Sequence, residues 1–202
     1  MTSTDDDVRT SWERIDAWCG IHLRAAPVRA SAHGSGLRAM EAELATALPS
    51  QVHDWWALER VRADHWIPGA FAPVDLDEAL ETRAIWLEVA EEEGPSVDAN
   101  GVPEPRFLPS FLPLALDPGG DGLVVDVRPG ASCGEVLVWD HETWALGVPL
   151  WSSVAAMLQD IATALESGTP ALLGHAALGG SEKACVAVVD DAGDPAWEPA
   201  EH

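Results

Sequence analysis

Residues 107–144 read FLPSFLPLALDPGGDGLVVDVRPGASCGEVLVWDHETW. Three short apolar runs, Phe107 to Leu116, Leu123 to Val127 and Glu135 to Trp139, are separated by clusters of Pro, Gly and Asp. That punctuation predicts an antiparallel meander. In Asp117-Pro118-Gly119-Gly120-Asp121-Gly122 the proline presets one turn dihedral, the glycines accept positive φ and the aspartates can bond nearby amides, so the chain must reverse. Arg128-Pro129-Gly130 makes a second reversal, and the third run leaves the sheet through Asp140-His141-Glu142.

Working outward, the flanks carry helical periodicity. Thr10 with Glu13 forms a capping box for a first helix with Trp12, Ile15, Cys19 and His22 on one face. Leu37 to Leu48 is predicted as a second helix ended by Pro49, and Ser50 caps a third that holds Val52, Trp55 and Trp56. Two adjacent tryptophans on one helix point in different directions, so one of them is expected at the rim of the core. Asp75-Leu76-Asp77-Glu78 caps a longer helix whose inner stripe includes Leu76, Ala79, Leu80, Arg83, Trp86 or Leu87, and Ala90. Its end, Glu91-Glu92-Glu93, opposes the helix dipole and is expected to fray. Residues 94–106 read as an exposed connection. Beyond the sheet, Trp151-Ser152-Ser153 supplies a cap for a helix striped by Val154, Ile161 and Leu165 and closed by Gly168. Lys183 to Val189 is a strand candidate. The expected architecture is α+β: a single antiparallel meander flanked by helices. It divides into an acidic, disordered lead over 1–9, one domain over 10–189 and an acidic tail over 190–202.

The chain has 202 residues, enough for one buried core, and 47% of them are hydrophobic. Ten tryptophans and no tyrosine are unusual, and some of the rings are expected at the surface as binding anchors. Three well-separated cysteines, Cys19, Cys133 and Cys185, suggest neither a disulfide framework nor a zinc site. With no bilayer-length apolar run and an acidic start unlike a secretory signal, a reducing cytoplasm is the expected location. Thirty-four acidic residues against eleven basic ones leave a net charge of −23. From residue 107 onward only Arg128 and Lys183 stand against fourteen Asp and Glu. Such a surface repels nucleic acid and anionic lipid and steers a basic partner; equally, the charge could serve solubility alone.

The order of helices, Pro/Gly/Asp-punctuated meander and closing helix resembles the SUKH superfamily, which includes fungal cell-wall synthesis regulators and bacterial toxin-immunity proteins. The likeness rests on Glu41-Ala42-Glu43-Leu44 through Leu48-Pro49, on Phe111 to Ala115 followed by Asp117 to Asp121 and Leu123 to Asp126, on Gly134 to Glu142, and on Trp151-Ser152-Ser153 with Leu158. It spans roughly residues 10–168 and departs from the family at Glu59 to Asp64, where many members carry Asn-Gly. The resemblance implies a protein that binds a cognate toxin domain and blocks it.

Asp117, Asp121, Asp126, Asp140, His141 and Glu142 are the residues to nominate for acid/base chemistry or metal binding, but their spacing matches no known ligand motif. Turn chemistry and strand termination account for Asp117, Asp121 and Asp126, and a strand-end role accounts for His141. Trp139 and Trp144 flank Asp140-His141-Glu142, and aromatic anchors rimmed by carboxylates suit a cationic protein partner; Trp139 as core and Trp144 as loop packing is the competing reading. Trp66 near Arg60 and Arg62 could stack on a guanidinium. The expectation is therefore a non-enzymatic acidic binding domain with no cofactor and no metal, recognising a basic toxin domain, possibly a nuclease. Alternatives are a stand-alone regulatory protein of the same type and a small hydrolase using the Asp/His/Glu cluster.

Overall fold

The computed structural model describes residues 4–23, 29–30, 35–58, 60–61, 66–94, 96–97, 103–104, 106–142, 145–173, 184–191 and 193–200. In chain order the elements are α1 (Thr4–His22), β1 (Arg29–Ala30), α2 (Ser35–Leu44), α3 (Ser50–Ala57), β2 (Arg60–Val61), β3 (Ala72–Pro73), α4 (Leu76–Glu93), β4 (Ser96–Val97), β5 (Pro103–Glu104), β6 (Phe111–Leu116), β7 (Gly122–Asp126), β8 (Val136–Asp140), β9 (Ala145–Leu146), α5 (Val154–Ser167), β10 (Cys185–Val189) and β11 (Pro195–Pro199). The class is α+β. The predicted meander is the centre of a five-stranded antiparallel sheet, ordered β3-β6-β7-β8-β9, with two-residue strands at both edges. Three two-stranded pairs accompany it: β1-β2, β4-β5 and β10-β11.

The central strands are continuous apolar runs because helices cover both faces of the sheet. Leu112, Val125 and Val136 share one register row and enter the main core with α1, α3 and α5. Phe111, Val124, Leu137 and Trp139 enter a second, aromatic core under α4, with Trp86 and Phe107. Its rings meet edge to face, Phe107 lying 5.0 Å from Trp86 and 5.3 Å from Trp139. Gly122 is required here, since a Cβ would come within 2.4 Å of the Trp86 ring. Pro113 lies inside β6, but β3 pairs only with Ala115 and Leu116, and a bulge between Pro113 and Ala115 absorbs the missing N–H.

The caps at Asp75, Ser153 and Gly168 form as expected: Asp75 Oδ1 accepts the Glu78 N–H at 2.9 Å, Ser153 Oγ accepts that of Ala156 at 3.1 Å, and Gly168 is left-handed at φ 67°. Gln51 on α3 also accepts the Ala155 N–H at 3.0 Å, tying α3 to the start of α5. At the α2–α3 corner Glu41 accepts the Leu48 N–H and a ring nitrogen of His53, both at 3.0 Å, and these bonds hold its carboxyl below the usual range.

Five expectations are corrected. First, α1 begins at Thr4 and buries Val8, so residues 4–9 are helix and not a disordered lead; residues 1–3 lie outside the described set. Second, Trp55 and Trp56 are both buried, because α3 is wedged between α1 and α5 and has core on two sides. Third, α4 stays helical through Glu93. Fourth, the connection over 94–106 contains the β4-β5 pair. Fifth, residues 195–199 are no tail: β11 pairs with β10 from Cys185↔Pro199 to Val189↔Pro195. The turn between them uses Asp190, whose Oδ1 accepts the N–H groups of Gly193 and Asp194, both at 2.9 Å.

Candidate functional site

The acidic residues of the meander separate into two places. Asp117 and Asp121 sit in the β6–β7 turn, where Asp117 Oδ1 accepts the N–H of Gly120 at 2.7 Å and that of Asp121 at 2.8 Å. Asp121 Oδ1 reaches across to the turn after β8 and accepts both the backbone N–H of His141, at 3.0 Å, and its Nδ1–H, at 2.8 Å. The imidazole lies over Gly120, which has φ +103° and would bring a Cβ to 3.3 Å from the ring. Asp140 Oδ1 accepts the Glu142 N–H at 3.0 Å. The sheet end is thus a pair of turns latched by one Asp–His contact. The hydrogen bond that His141 donates to Asp121 raises the His141 pKa, and the nearby charges of Asp121, Glu142 and Asp140 add to it against partial desolvation.

Asp126 lies at the other end of β7, roughly 16 Å from Asp121 at the usual rise of a strand. It is buried and held by Arg128, whose Nε–H donates to Oδ2 at 2.9 Å and whose backbone N–H donates to Oδ1 at 2.9 Å. The same guanidinium lies over Phe111, 5.4 Å from its centroid. Asp126 therefore locks the β7–β8 connection and presents no charge to a partner, a correction to its nomination as a contact residue. Trp139 is corrected on the same ground, since it is 0% exposed in the aromatic core. Trp144, and the contact of Trp66 with Arg60 and Arg62, lie outside the described side chains; Trp66 itself is buried, 5.6 Å from Trp12. Of the eight nominated residues, the structure brings five together at the surface end of the sheet: Asp117, Asp121, Asp140, His141 and Glu142.

Asp117 and Asp140 accept amides of their own turns, Asp121 accepts from His141 across the two turns, and no hydroxyl or thiol donates to His141 among the described residues. Among the described residues no three His, Cys, Asp or Glu side chains converge as metal ligands.

A more extended acidic surface lies on α4. Its 18 residues carry seven carboxylates, at 77, 78, 81, 88, 91, 92 and 93, all on exposed residues. Asp77, Glu81, Ile85, Glu88 and Glu92 follow one another at helical spacing, with Ile85, 52% exposed, at the middle. The one basic residue of the helix, Arg83, turns inward. It is 5% exposed, donates to the Pro109 carbonyl at 2.9 and 2.6 Å, and pairs with Glu43 on α2 at 2.7 Å. Trp86, resting on Gly122 next to Asp121, joins this ridge to the latched turns. The ridge was detectable in the sequence, because placing Arg83 on the inner stripe leaves no basic residue among the acids, Ala84 and Ile85 on the exposed side.

No protein-family model matches the chain, and no curated protein matches it.

Proposed function

We propose that the chain is a non-catalytic, acidic, protein-binding domain that docks a basic partner on the outer face of α4 and the adjoining latched turns. The observation that carries this reading is the α4 ridge: seven exposed carboxylates around one exposed isoleucine, with the only arginine of the helix buried beneath them. Carboxylates in that arrangement supply orientation and association rate, and the apolar centre supplies buried area. Combined with the resemblance of its helix–meander–helix order to SUKH proteins, the reading sharpens to a cytoplasmic immunity protein that covers the active surface of a basic toxin domain, its carboxylates standing in for phosphate oxygens. For the described residues, no helix is long and apolar enough to cross a membrane.

The test is capture from native lysate by wild type and by a Glu81→Lys/Glu88→Lys/Glu92→Lys variant, followed by association kinetics of the captured protein at several salt concentrations. The expected result is a basic partner, a steep fall in association rate with salt and loss of capture by the variant. Equal capture by the variant, or a rate indifferent to salt, overturns the reading. A toxin-encoding gene immediately upstream separates immunity from a stand-alone regulatory role.

A further inference from the structure

Between β8, the Pro68–Phe71 loop and the β10-β11 hairpin lies a partly open cavity of about 280 Å³. That is just below the usual range for small-molecule sites, about 300–1,000 Å³. The wall is formed by Phe71, Val138, Leu150, Leu172, Cys185 and Trp197 among others, and among the described residues no charged side chain lines it. The hairpin creates this space: Trp197 on β11 faces the cavity, and the Ala171↔Cys185 bridge fixes β10 against the segment after α5.

Asp160 stands directly behind this wall. Its Oδ2 accepts the backbone N–H of Leu172 at 3.0 Å and the Nε1–H of Trp151 at 2.9 Å. Its charge also reaches Cys185, whose thiol is pushed up to about 11 first by burial and then by Asp160. The thiol therefore stays protonated at neutral pH and is a poor nucleophile. Among the described residues no Lys, Arg or His forms an ion pair with Asp160. An apolar anion such as a fatty acid would be repelled by the negative charge of Asp160 behind the wall. A neutral apolar molecule would gain burial only. A cation with an apolar body would gain burial against Phe71 and Trp197 and attraction to Asp160.

We propose that this cavity binds a small organic amine, its aryl or alkyl body seated against Phe71 and Trp197 and its ammonium group toward the Asp160 side. The site stands apart from the acidic ridge of α4 and does not depend on it.

The experiment uses the full chain and three probes with one apolar body: 4-phenylbutylamine, 4-phenylbutanol and 4-phenylbutyrate, titrated by NMR while following the amides of Leu172, Cys185 and Trp197. The amine is expected to bind with a dissociation constant on the order of 1 mM, as suits a ligand of this size. It is expected to bind about fivefold tighter than the alcohol, and the carboxylate weaker still. Asp160→Asn keeps an oxygen for both hydrogen bonds while removing the charge, and brings amine and alcohol to equal affinity. Ala184→Phe fills the cavity and removes binding of all three; a melting curve of the unliganded variant reports its folding, and Asp160→Asn keeps the idea testable if Ala184→Phe does not fold. Carboxylate binding as tight as amine binding, an unchanged preference in Asp160→Asn, or no shift of these amides at millimolar amine overturns the proposal.

Discussion

Removing the Arg83 side chain tests what holds the acidic helix α4 in place. The guanidinium makes two kinds of contact: Nε–H and Nη2–H converge on the Pro109 carbonyl at 2.9 and 2.6 Å, and Nη2–H also meets Glu43 at 2.7 Å. The two differ in surroundings. The Arg83 side chain is 6% exposed, whereas that of Glu43 is 55% exposed, so water can replace the glutamate far more readily than it can replace the arginine. Charge-assisted bonds to a carbonyl are worth about 1.5–3 kcal/mol each, but two donors sharing one oxygen do not add fully. With the lost packing of the aliphatic stem, Arg83→Ala is expected to cost about 3–4 kcal/mol. Arg83→Met keeps most of the stem and is expected to cost about 2 kcal/mol. Glu43→Gln retains an acceptor at an exposed position and is expected to cost about 0.5–1 kcal/mol. For a chain of this size each kcal/mol moves Tm by about 2–4 °C, so thermal and urea unfolding resolve the order. The reasoning fails if Glu43→Gln costs as much as Arg83→Ala, because the ion pair and not the capture of the Pro109 carbonyl would then anchor α4.

Two further outcomes follow from the sheet. Gly122→Ala would place a Cβ 2.4 Å from the Trp86 ring and is expected to cost about 1–3 kcal/mol in urea unfolding, with much of that loss recovered in combination with Trp86→Phe; equal penalties in both backgrounds would mean the ring is not the obstacle. His141 has its folded pKa raised by Asp121, so the stability this latch contributes is fully present below the unfolded histidine pKa and is lost as pH rises through the folded value. An NMR titration of His141 is expected to show a lower pKa in Asp121→Asn, together with a flatter dependence of stability on pH over that window; an unchanged titration would remove Asp121 from the latch.

The legibility of this fold in its sequence tracks how local each determinant is. The strands β6, β7 and β8, the caps at Asp75 and Ser153 and the Gly168 stop all depend on residues within one turn or run, and each could be read directly. Pairing between distant segments was not legible. The two-residue strands β3 and β9 are too short to show periodicity, and they exist because β6 and β8 offer them an edge. The β10-β11 hairpin carries an Asp190-to-Asp194 turn of the same chemistry as Asp117 to Asp121, but Pro195 and Pro199 at the ends of its second strand masked the pattern. Which tryptophans are buried was not legible either: Trp12, Trp55, Trp56, Trp66, Trp86, Trp139 and Trp151 are, because helices on both faces of one small sheet create two cores to fill, whereas Trp18 and Trp197 are only partly buried. At the site, turn chemistry correctly explained Asp117 and Asp121, while the buried partnership of Asp126 with Arg128 depends on the chain bending back over β7.

Where the carboxylates sit decides which of them can act on a partner. Those of the β6–β7 turn already accept the amides that shape it, so a basic partner would compete with the protein's own folding for the same oxygens. The carboxylates of α4 stand on a helix whose backbone bonds are satisfied internally, and its anchoring is delegated to Arg83 and Trp86 on the opposite side. From Asp77 to Glu92 the ridge runs about 22 Å at 1.5 Å per residue. That is well beyond the screening length of about 8 Å at physiological salt. One cation placed on it therefore senses only its nearest one or two acids, each worth about 1 kcal/mol in water at 4 Å. A row of lysines or arginines spaced along a partner surface engages the whole length. On the proposed reading the ridge would discriminate by charge spacing over some 20 Å and not by net charge alone, while Ile85 at its centre would reward only a partner close enough to exclude water.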